Sequence, residues 1–265
     1  MHVTTLVTFH RADNRTYLEL ALRSFKNQLK DLDGHRLVVA TCFQECFVVA
    51  TEVCKSLGFE YVVAHDPKAI YYSQKMNVAG KYIDDKSDFV FFLQDDVVLS
   101  EGCLKHLCEI AKERDLLINP ASNADNGSQF FTDLNIQTSK GPLQLQQNMK
   151  IEDFDGEEEL LFKKISIAPV AIKVPLLATF CTLLKRKIWD ELGGFDEEFK
   201  TGYEDLDFCM RAAQKHIPCL ITLNTFCLHF QSVTANKEIN VRRHDPDNQA
   251  RFKLKWQQWS DTNKY

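Results

Sequence analysis

Two adjacent aspartates, Asp95 and Asp96, follow an apolar run in the segment FVFFLQDDVVL. A run of this kind is typical of a central, buried strand of a parallel sheet, here ending in polar residues. Ligands of open α/β sheets bind beyond the carboxyl ends of the strands. Carboxylates at such a position suit a hard divalent cation that also contacts phosphate oxygens. Aspartates are also common in turns and at helix starts, so the pair by itself leaves a structural role open.

A second acidic cluster lies in the segment GGFDEEFKTGYEDLDFCMR, which begins at Gly193. The two glycines predict a turn, and Glu204 and Asp205 open a predicted helix. Acidic residues in a first helical turn complement the helix dipole, and Asp207 can pair with Arg211 at the i,i+4 spacing. We interpret Asp207 in this structural way, whereas a chemical role for Glu204 and Asp205 stays open.

The elements that must position these residues follow from the hydrophobic pattern. Strand-like and helix-like segments alternate in the first half, which predicts an α/β fold with helices on both faces of a parallel sheet. The predicted strands are Val3 to Phe9, Leu37 to Thr41, Phe59 to Ala64 and the run that begins at Phe89. The predicted helices are one capped by Asn14 with Leu18, Leu22, Phe25 and Leu29 on one face, one carrying Phe47 to Leu57 and ended by Gly58, and one from Ser73 to Ile83.

The second half is less regular, and residues 120 to 165 are predicted to be mostly loop because they lose periodicity. Order returns with a strand from Val174 to Leu184, a short helix from Ile188 to Leu192 ended by Gly193 and Gly194, a helix from Asp205 to His216 and a strand from Cys219 to His229. Asp245 followed by Pro246 predicts the start of a last helix.

The last predicted helix contains the basic and aromatic stretch RFKLKWQQW. Phe252, Trp256 and Trp259 fall on one face at helical spacing, with Lys253 and Lys255 on other faces. Such a stretch also occurs at membrane surfaces and in nucleic-acid sites. We favour packing of the aromatic face on the domain.

Several segments, taken in order, resemble the family 2 glycosyltransferases. They are VTFHRADN, FLQDDV, TFCTLLKRKIWDELGGFDEEF, YEDLDF and LHFQSVT, and together they span nearly the whole chain. The resemblance implies a GT-A fold, a single Rossmann-like, doubly wound mixed sheet flanked by helices. It also implies an inverting, metal-dependent hexosyl- or pentosyltransferase that moves a sugar from a nucleotide diphosphate to a hydroxyl acceptor. We expect one domain over 1–265, with a nucleotide-sugar-binding half at 1–118, an acceptor and catalytic half at 119–243 and a C-terminal helix at 244–265.

The resemblance implies a metal site that holds Mn²⁺ or Mg²⁺. Asp96 matches the family's metal-binding aspartate, and His229 in LHFQS matches a later metal ligand, with a structural histidine as the alternative. Asp95 is the middle residue of the family's three-residue aspartate motif and is expected to face the donor. The first position of that motif is Gln94 here, which removes one acidic contact to the metal or the ribose.

The resemblance also implies the catalytic residues. Asp205 matches the catalytic base that takes the acceptor proton as the hydroxyl attacks the anomeric carbon. Glu204 is the rival base, or else orients the donor sugar or the acceptor. Direct displacement through an oxocarbenium-like state inverts the anomeric carbon and requires no covalent nucleophile.

Donor binding is expected around the ends of the first strands. The family usually carries an acidic residue after its second strand, where this chain reads LVVATCFQE and Thr41 takes that neighbourhood. The missing carboxylate weakens the case for a uridine donor, although groups around Thr8 and Arg11 can also contact the base. Lys75 and Asn77 resemble donor-facing positions, with a plain surface helix as the alternative.

Composition and motifs set aside other functions. The net charge of -5 and pI near 5.9 give no positive field for strong non-specific nucleic-acid binding. The absence of GxGxxG and GxxxxGK disfavours a nucleotidyltransferase or another doubly wound nucleotide enzyme. A catalytically degenerate GT-A sugar-binding or scaffold protein is the other alternative, which retention of Asp96, Asp205 and His229 disfavours. A glycan, a lipid-linked glycan, a protein or a modified nucleobase all stay open as the acceptor.

The location is expected to be cytoplasmic. The apolar run at the N-terminus lacks the basic flank of a secretory signal, and the longest apolar stretch, Ala168 to Leu184, is shorter than the ~20 residues of a membrane span. These features predict no transmembrane segment and leave peripheral membrane contact open. The nine cysteines form no CxxC pair, so we expect reduced, structural thiols and no zinc site.

Overall fold

Strands and helices alternate along the first half of the chain, as predicted. A computed structural model describes residues 1–123, 134–200, 202–231 and 246–262, with the side chains of 246 and 258–262 outside the description. The elements up to residue 122 are β1 (His2–Thr8), α1 (Arg15–Lys26), β2 (Gly34–Thr41), α2 (Gln44–Ser56), β3 (Tyr61–His65), α3 (Tyr72–Gly80), β4 (Phe89–Gln94), β5 (Val97–Leu99), α4 (Cys103–Glu113) and β6 (Leu117–Ser122).

The remaining elements include a small hairpin and the last strands of the main sheet. They are β7 (Asn135–Thr138), β8 (Gly141–Gln144), two 3₁₀ helices (Ile151–Phe154 and Glu158–Phe162), β9 (Ala171–Val174), β10 (Cys181–Lys185), α5 (Arg186–Leu192), α6 (Glu204–Gln214), β11 (Cys219–His229) and α7 (Pro246–Thr262). The strands β7 and β8 pair only with each other, antiparallel. The segment predicted to be mostly loop therefore contains local structure.

One mixed sheet joins strands from both halves of the chain in the order β3-β2-β1-β4-β10-β6-β11-β5, with β9 also paired to β11. The strands β3, β2, β1 and β4 are parallel to one another. β10 runs antiparallel between β4 and β6. The four parallel strands end at one edge of the sheet, which is where α/β folds place their ligands.

Helices cover both faces of the sheet because successive strand residues point to opposite sides. Phe91 of β4 belongs to the core cluster formed with α1, α2 and α4. Phe92 belongs to the opposite cluster with α3, α5 and α6, and its ring lies 5.6 Å from Trp189 and 5.8 Å from Phe208. Full burial of both faces explains why β4 is continuously apolar. The expected mixed sheet flanked by helices is confirmed.

The prediction of a single strand from Val174 to Leu184 is wrong. β9 ends at Val174 and β10 begins at Cys181, and the two pair with different neighbours in the sheet. Pro175 follows β9 at once and has no N–H to donate to a continuing ladder. The apolar character of the intervening residues reflects burial, since Leu177 and Phe180 are both in core clusters.

Two predicted helix caps also differ in the structure. α1 begins after Asn14, but the side chain of Asn14 makes no capping hydrogen bond, and Leu29 lies beyond the end of the helix. Ser73 does not cap α3, because Tyr71 occupies the N-cap position. The hydroxyl of Ser73 instead donates to the carbonyl of Phe199, at 3.0 Å.

The predicted packing of the last helix is confirmed for its described residues. Trp256 is buried, and Phe252 contacts the rings of Phe199 and Tyr203. Lys255, expected on another face, instead reaches inward to two aspartates. Asp245 and the side chain of Trp259 lie outside the described residues. None of the described helices has both the length and the apolar composition needed to cross a membrane.

The nine cysteines lie in the described ranges, where all are buried and none is paired in a disulfide. Burial raises the pKa of the Cys46 and Cys54 thiols to about 12. Thiols of this kind behave as small apolar side chains and are poor nucleophiles.

Candidate active site

The edge where the parallel strands end gathers the residues at the ends of β1, β2 and β4. Thr8 pairs in register with Ala40 of β2 and with Gln94 of β4, and Thr41 pairs with His65 of β3. This register brings Thr8, Thr41 and the Asp95-Asp96 turn to one side of the molecule. All four residues are buried, so their polar groups depend on one another or on a ligand for compensation.

Asp95 and Asp96 form the turn between β4 and β5, and both are less than one-tenth exposed. Burial, with the charge of Asp96 as a second cause, holds the pKa of Asp95 well above its usual range. The charge of the Lys75 cation opposes this effect. Asp95 Oδ2 has no hydrogen-bond partner among the described residues. A buried carboxylate atom without a partner is an open position for a ligand.

His229 ends β11 and meets Asp96 across the sheet, because β11 pairs with β5 directly after the aspartate turn. Its Nε2 lies 3.2 Å from Asp96 Oδ1. Phe180 stacks on the imidazole ring with a centroid separation of 4.4 Å. Asp96 Oδ1 has no hydrogen bond of acceptable geometry in the described structure, so the two atoms are close without bonding to each other.

The Asp96 and His229 atoms fit a shared divalent cation. Adjacent ligands of an octahedral ion with bonds of about 2.1 Å are about 3.0 Å apart, close to the separation seen here. Within the described ranges no group of three or more His, Cys, Asp or Glu side chains is arranged to hold a metal. The protein would thus supply two ligands and leave the other positions to phosphate and water, as is common for Mg²⁺ and chemically similar ions.

Asn123 holds His229 in place, a role that the sequence analysis did not identify. The backbone N–H of His229 donates to Asn123 Oδ1 at 2.8 Å, and Asn123 Nδ2 donates to the His229 carbonyl at 3.1 Å. Nδ2 also donates to the carbonyl of Gln146 at 2.9 Å. The side-chain amide imitates a strand neighbour at the end of β11. A lone asparagine after a short strand gives no sequence signal for this contact.

Glu204 and Asp205 occupy the first turn of α6, which follows Tyr203 in the left-handed conformation at φ 73°. Burial raises the pKa of Asp205 to about 6, against a hydrogen bond from the Leu206 N–H to Oδ1. Burial and the neighbouring Asp205 charge raise the pKa of Glu204 to about 8. Glu204 Oε2 is buried without a hydrogen-bond partner in the described structure. Both carboxyl groups therefore retain their protons to a higher pH than an exposed carboxyl group does.

The segment Thr179–Phe180 contacts both Tyr72 and His229. The Tyr72 hydroxyl donates to the Thr179 carbonyl at 2.8 Å. Burial raises the pKa of Tyr72, and the negative charges of Glu204 and Asp205 raise it further, so Tyr72 lies within electrostatic reach of the pair. The next residue, Phe180, stacks on His229. Thr179 and Phe180 thus contact Tyr72 and His229, respectively.

The predicted donor-facing residues of α3 differ from each other. Lys75 is buried, and its Nζ donates to the Ile70 carbonyl at 2.6 Å and lies 3.3 Å from His10 Nδ1. Asn77 does not join Lys75 and His10. Its Oδ1 accepts a hydrogen bond from the Phe195 N–H at 2.8 Å, and its Nδ2 donates to the Phe195 carbonyl at 2.9 Å. Asn77 therefore positions the turn that leads to α6.

The remaining donor candidates have protein partners. Arg11 makes a two-pronged contact with the Asp13 carboxylate, at 2.9 and 3.0 Å. Thr41 Oγ1 lies 3.2 Å from His65 Nδ1. The hydroxyl of Thr41 is thus tied to an exposed histidine at the position where a carboxylate was expected.

Sequence reasoning missed an aromatic group at the same edge. His10 lies against Phe43 with a ring separation of 5.1 Å, and His65 lies against Phe47 at 5.7 Å. Phe43 is 40% exposed, which is unusual for a large aromatic side chain. The motif VTFHRADN contains His10, but its spacing alone does not reveal that Phe43, 33 residues later in the chain, is its partner.

The fold defines the class of protein that this chain resembles, the GT-A glycosyltransferases. No protein-family model and no curated protein matches the sequence. The likeness therefore comes from solved structures alone. At the identities found, it establishes the fold.

Three of these structures illustrate the likeness. GalNAc-T7 with UDP, GalNAc and Mn²⁺ has a TM-score of 0.65 at 13% identity, over 98% of this chain and 49% of that one. TarS 1-349 of S. aureus has a TM-score of 0.55 at 13% identity, over 85% and 60% of the two chains. The mannosyltransferase PcManGT from Pyrobaculum calidifontis, in complex with GDP-Man and Mn²⁺, has 0.59 at 12%, over 88% and 58%. This chain thus spans about half to three-fifths of each.

Proposed function

We propose that this protein is a metal-dependent glycosyltransferase that moves a sugar from a nucleotide diphosphate donor to a hydroxyl acceptor with inversion. The observation that carries the proposal is the 3.2 Å approach of Asp96 Oδ1 to His229 Nε2 at the strand ends of a GT-A fold. Two residues so distant in sequence converge there without a hydrogen bond. A cation between them explains the geometry.

Asp96 and His229 would hold Mn²⁺ or Mg²⁺, and the ion would neutralise charge on the departing diphosphate. An imidazole ligand favours Mn²⁺, because nitrogen donors bind first-row transition ions better than Mg²⁺. The structures of GalNAc-T7 and PcManGT contain Mn²⁺, which supports this choice. Asn123 fixes the backbone of His229, and Phe180 fixes the plane of its ring.

The donor would lie along the edge formed by Thr8, Thr41, Asp95 and Lys75. Lys75 is a buried cation next to the aspartate turn, and a buried cation is well placed to stabilise a diphosphate. Arg11 and Thr41 would border the nucleoside. UDP accompanies GalNAc-T7 and GDP-Man accompanies PcManGT, so uridine and guanosine donors are the first to test.

Asp205 would act as the base. With a pKa of about 6 it is ionised at neutral pH and can accept the proton of the acceptor hydroxyl. Glu204, with a pKa of about 8, retains its proton and would donate a hydrogen bond to the donor sugar or the acceptor. Attack from the face opposite the diphosphate inverts the anomeric carbon. The acceptor class and the cytoplasmic location stay predictions.

Calorimetric titration tests the proposal most directly. UDP, GDP, CDP, dTDP and ADP are titrated into the protein with Mn²⁺, with Mg²⁺ and with neither ion. We expect one nucleotide to bind at least tenfold more tightly with Mn²⁺ than without it. Absence of nucleotide binding under every condition would contradict the transferase and favour a degenerate sugar-binding or scaffold protein.

A further inference from the structure

Asp207 is a fully buried carboxylate two residues after the proposed base. Within α6, Arg211 Nε donates to its Oδ2 at 2.8 Å, as the i,i+4 spacing predicts. From α7, Lys255 Nζ lies 2.8 Å from Oδ1, and Trp256 Nε1 donates to the same oxygen at 3.0 Å. A buried carboxylate requires such compensation, so these donors tie α7 to the first turns of α6.

Side chains of α7 also contact the segment 193–203, which leads into the acidic pair. Lys255 Nζ contacts Asp196 Oδ2 at 2.6 Å. Asn248 Nδ2 donates to the carbonyl of Gly202 at 3.2 Å, directly before Tyr203 and Glu204. α7 therefore contacts both ends of this segment, and Lys255 joins the segment to Asp207.

The helix α3 holds the opposite side of the same segment. Asn77 bonds both backbone groups of Phe195, and Ser73 donates to the carbonyl of Phe199. The described residues of this segment are therefore held between α3 and α7. Its far end carries Glu204 and Asp205.

We propose that Asp207 and Lys255 are positioning residues that set the orientation of Glu204 and Asp205 at the start of α6. The inference rests on the proposed function, because it concerns the orientation of the proposed base. Neither residue touches the reacting atoms. An ordinary helix-docking ion pair would contribute stability alone, whereas this arrangement links Lys255 to the loop and the helix start on which the base depends.

The test uses Lys255→Met in the full chain at a temperature well below unfolding. Lys255 is partly exposed, and Asp207 retains Arg211 and Trp256 as partners in this variant. Lys255→Arg restores the cation, and Arg251→Met is the matched control because it removes a surface contact of α7 with Glu198 in the same segment but leaves the contacts of Lys255 with Asp196 and Asp207 in place. We expect Lys255→Met to lower kcat tenfold or more with the donor KM within twofold of wild type. Lys255→Arg should recover most of kcat, and Arg251→Met should match wild type.

Hydrogen exchange provides a readout that does not depend on turnover. Amides of residues 202–210 should exchange at least tenfold faster in Lys255→Met, with no change in β1 to β4. Unchanged exchange at 202–210 overturns the inference, as does a kcat within twofold of wild type in a variant that is merely less stable. If wild type transfers no sugar, the proposed function fails, and exchange alone then decides whether Lys255 positions the segment.

Discussion

Glu204 and Asp205 are neighbours in sequence that the fold makes chemically different. Both lie partly buried in the first turn of α6, yet the pKa of Asp205 is about 6 and that of Glu204 about 8. Burial raises both pKa values and backbone N–H groups oppose the shift in both residues, but the charge of Asp205 raises the pKa of Glu204 further. This separation divides the roles of base and hydrogen-bond donor between the two residues.

The pH dependence of kcat/KM identifies the base. A base must be deprotonated to act, so activity should rise with pH through the pKa of the base and then level off. We expect the midpoint of this rise near pH 6, as for Asp205. A midpoint near pH 8 would assign the base to Glu204 instead.

Two variants control that profile. Asp205→Asn should lower kcat by on the order of 10²–10⁴ without weakening nucleotide binding, because only the proton acceptor is lost. Glu204→Gln should retain the rise near pH 6. Full turnover by Asp205→Asn would exclude this residue as the base.

At the scale of elements, the turn between α5 and α6 decides where the acidic pair lies. Gly193 and Gly194 both have positive φ, at 71° and 79°. They differ in their surroundings, since a Cβ on Gly193 would meet nothing within 4 Å, whereas a Cβ on Gly194 would lie 2.5 Å from Asn77 Oδ1. Gly194 therefore permits the contact through which α3 holds Phe195.

Replacing these glycines separates backbone strain from that contact. Gly193→Ala should destabilise the protein by about 1 kcal/mol, the cost of a left-handed alanine. Gly194→Ala should cost about 1–3 kcal/mol more, because the Asn77 amide must also move. Urea unfolding at equilibrium measures both values. Equal losses of stability in the two variants would show that the Asn77 side chain moves without a cost in free energy.

At the scale of the whole molecule, the sheet brings together Asp96 and His229, which lie 133 residues apart in the sequence. β11 crosses to pair with β5, which follows the aspartate turn. If both residues bind one ion, their contributions to nucleotide binding cannot be independent.

A double-mutant cycle examines that dependence. Asp96→Ala and His229→Ala should each weaken Mn²⁺-dependent nucleotide binding at least tenfold in calorimetry, and the double variant should be little weaker than the worse single variant. Binding without metal should change much less in all three variants. Additive losses would indicate two separate sites.

The sequence by itself determined the strands and helices from β1 to β4, the position of the aspartate turn and the extent of β11, because each depends on local periodicity and on nearby glycines. It did not determine that residues 174–184 divide between two strands, since a buried connection and a buried strand are equally apolar. It also placed Asn77 at the donor and Lys255 on an outer face, although both side chains hold the segment before α6.

Only the tertiary structure decided which polar groups meet. Three contacts join residues far apart in sequence: Asp96 with His229, Asn123 with His229, and Asp207 with Trp256 of α7. Burial by the fold raises the pKa values of Glu204 and Asp205. Periodicity reports which face of an element is buried, because burial is a property of each residue type. The partner of a buried polar group is set by sheet order and helix docking, which no local pattern encodes.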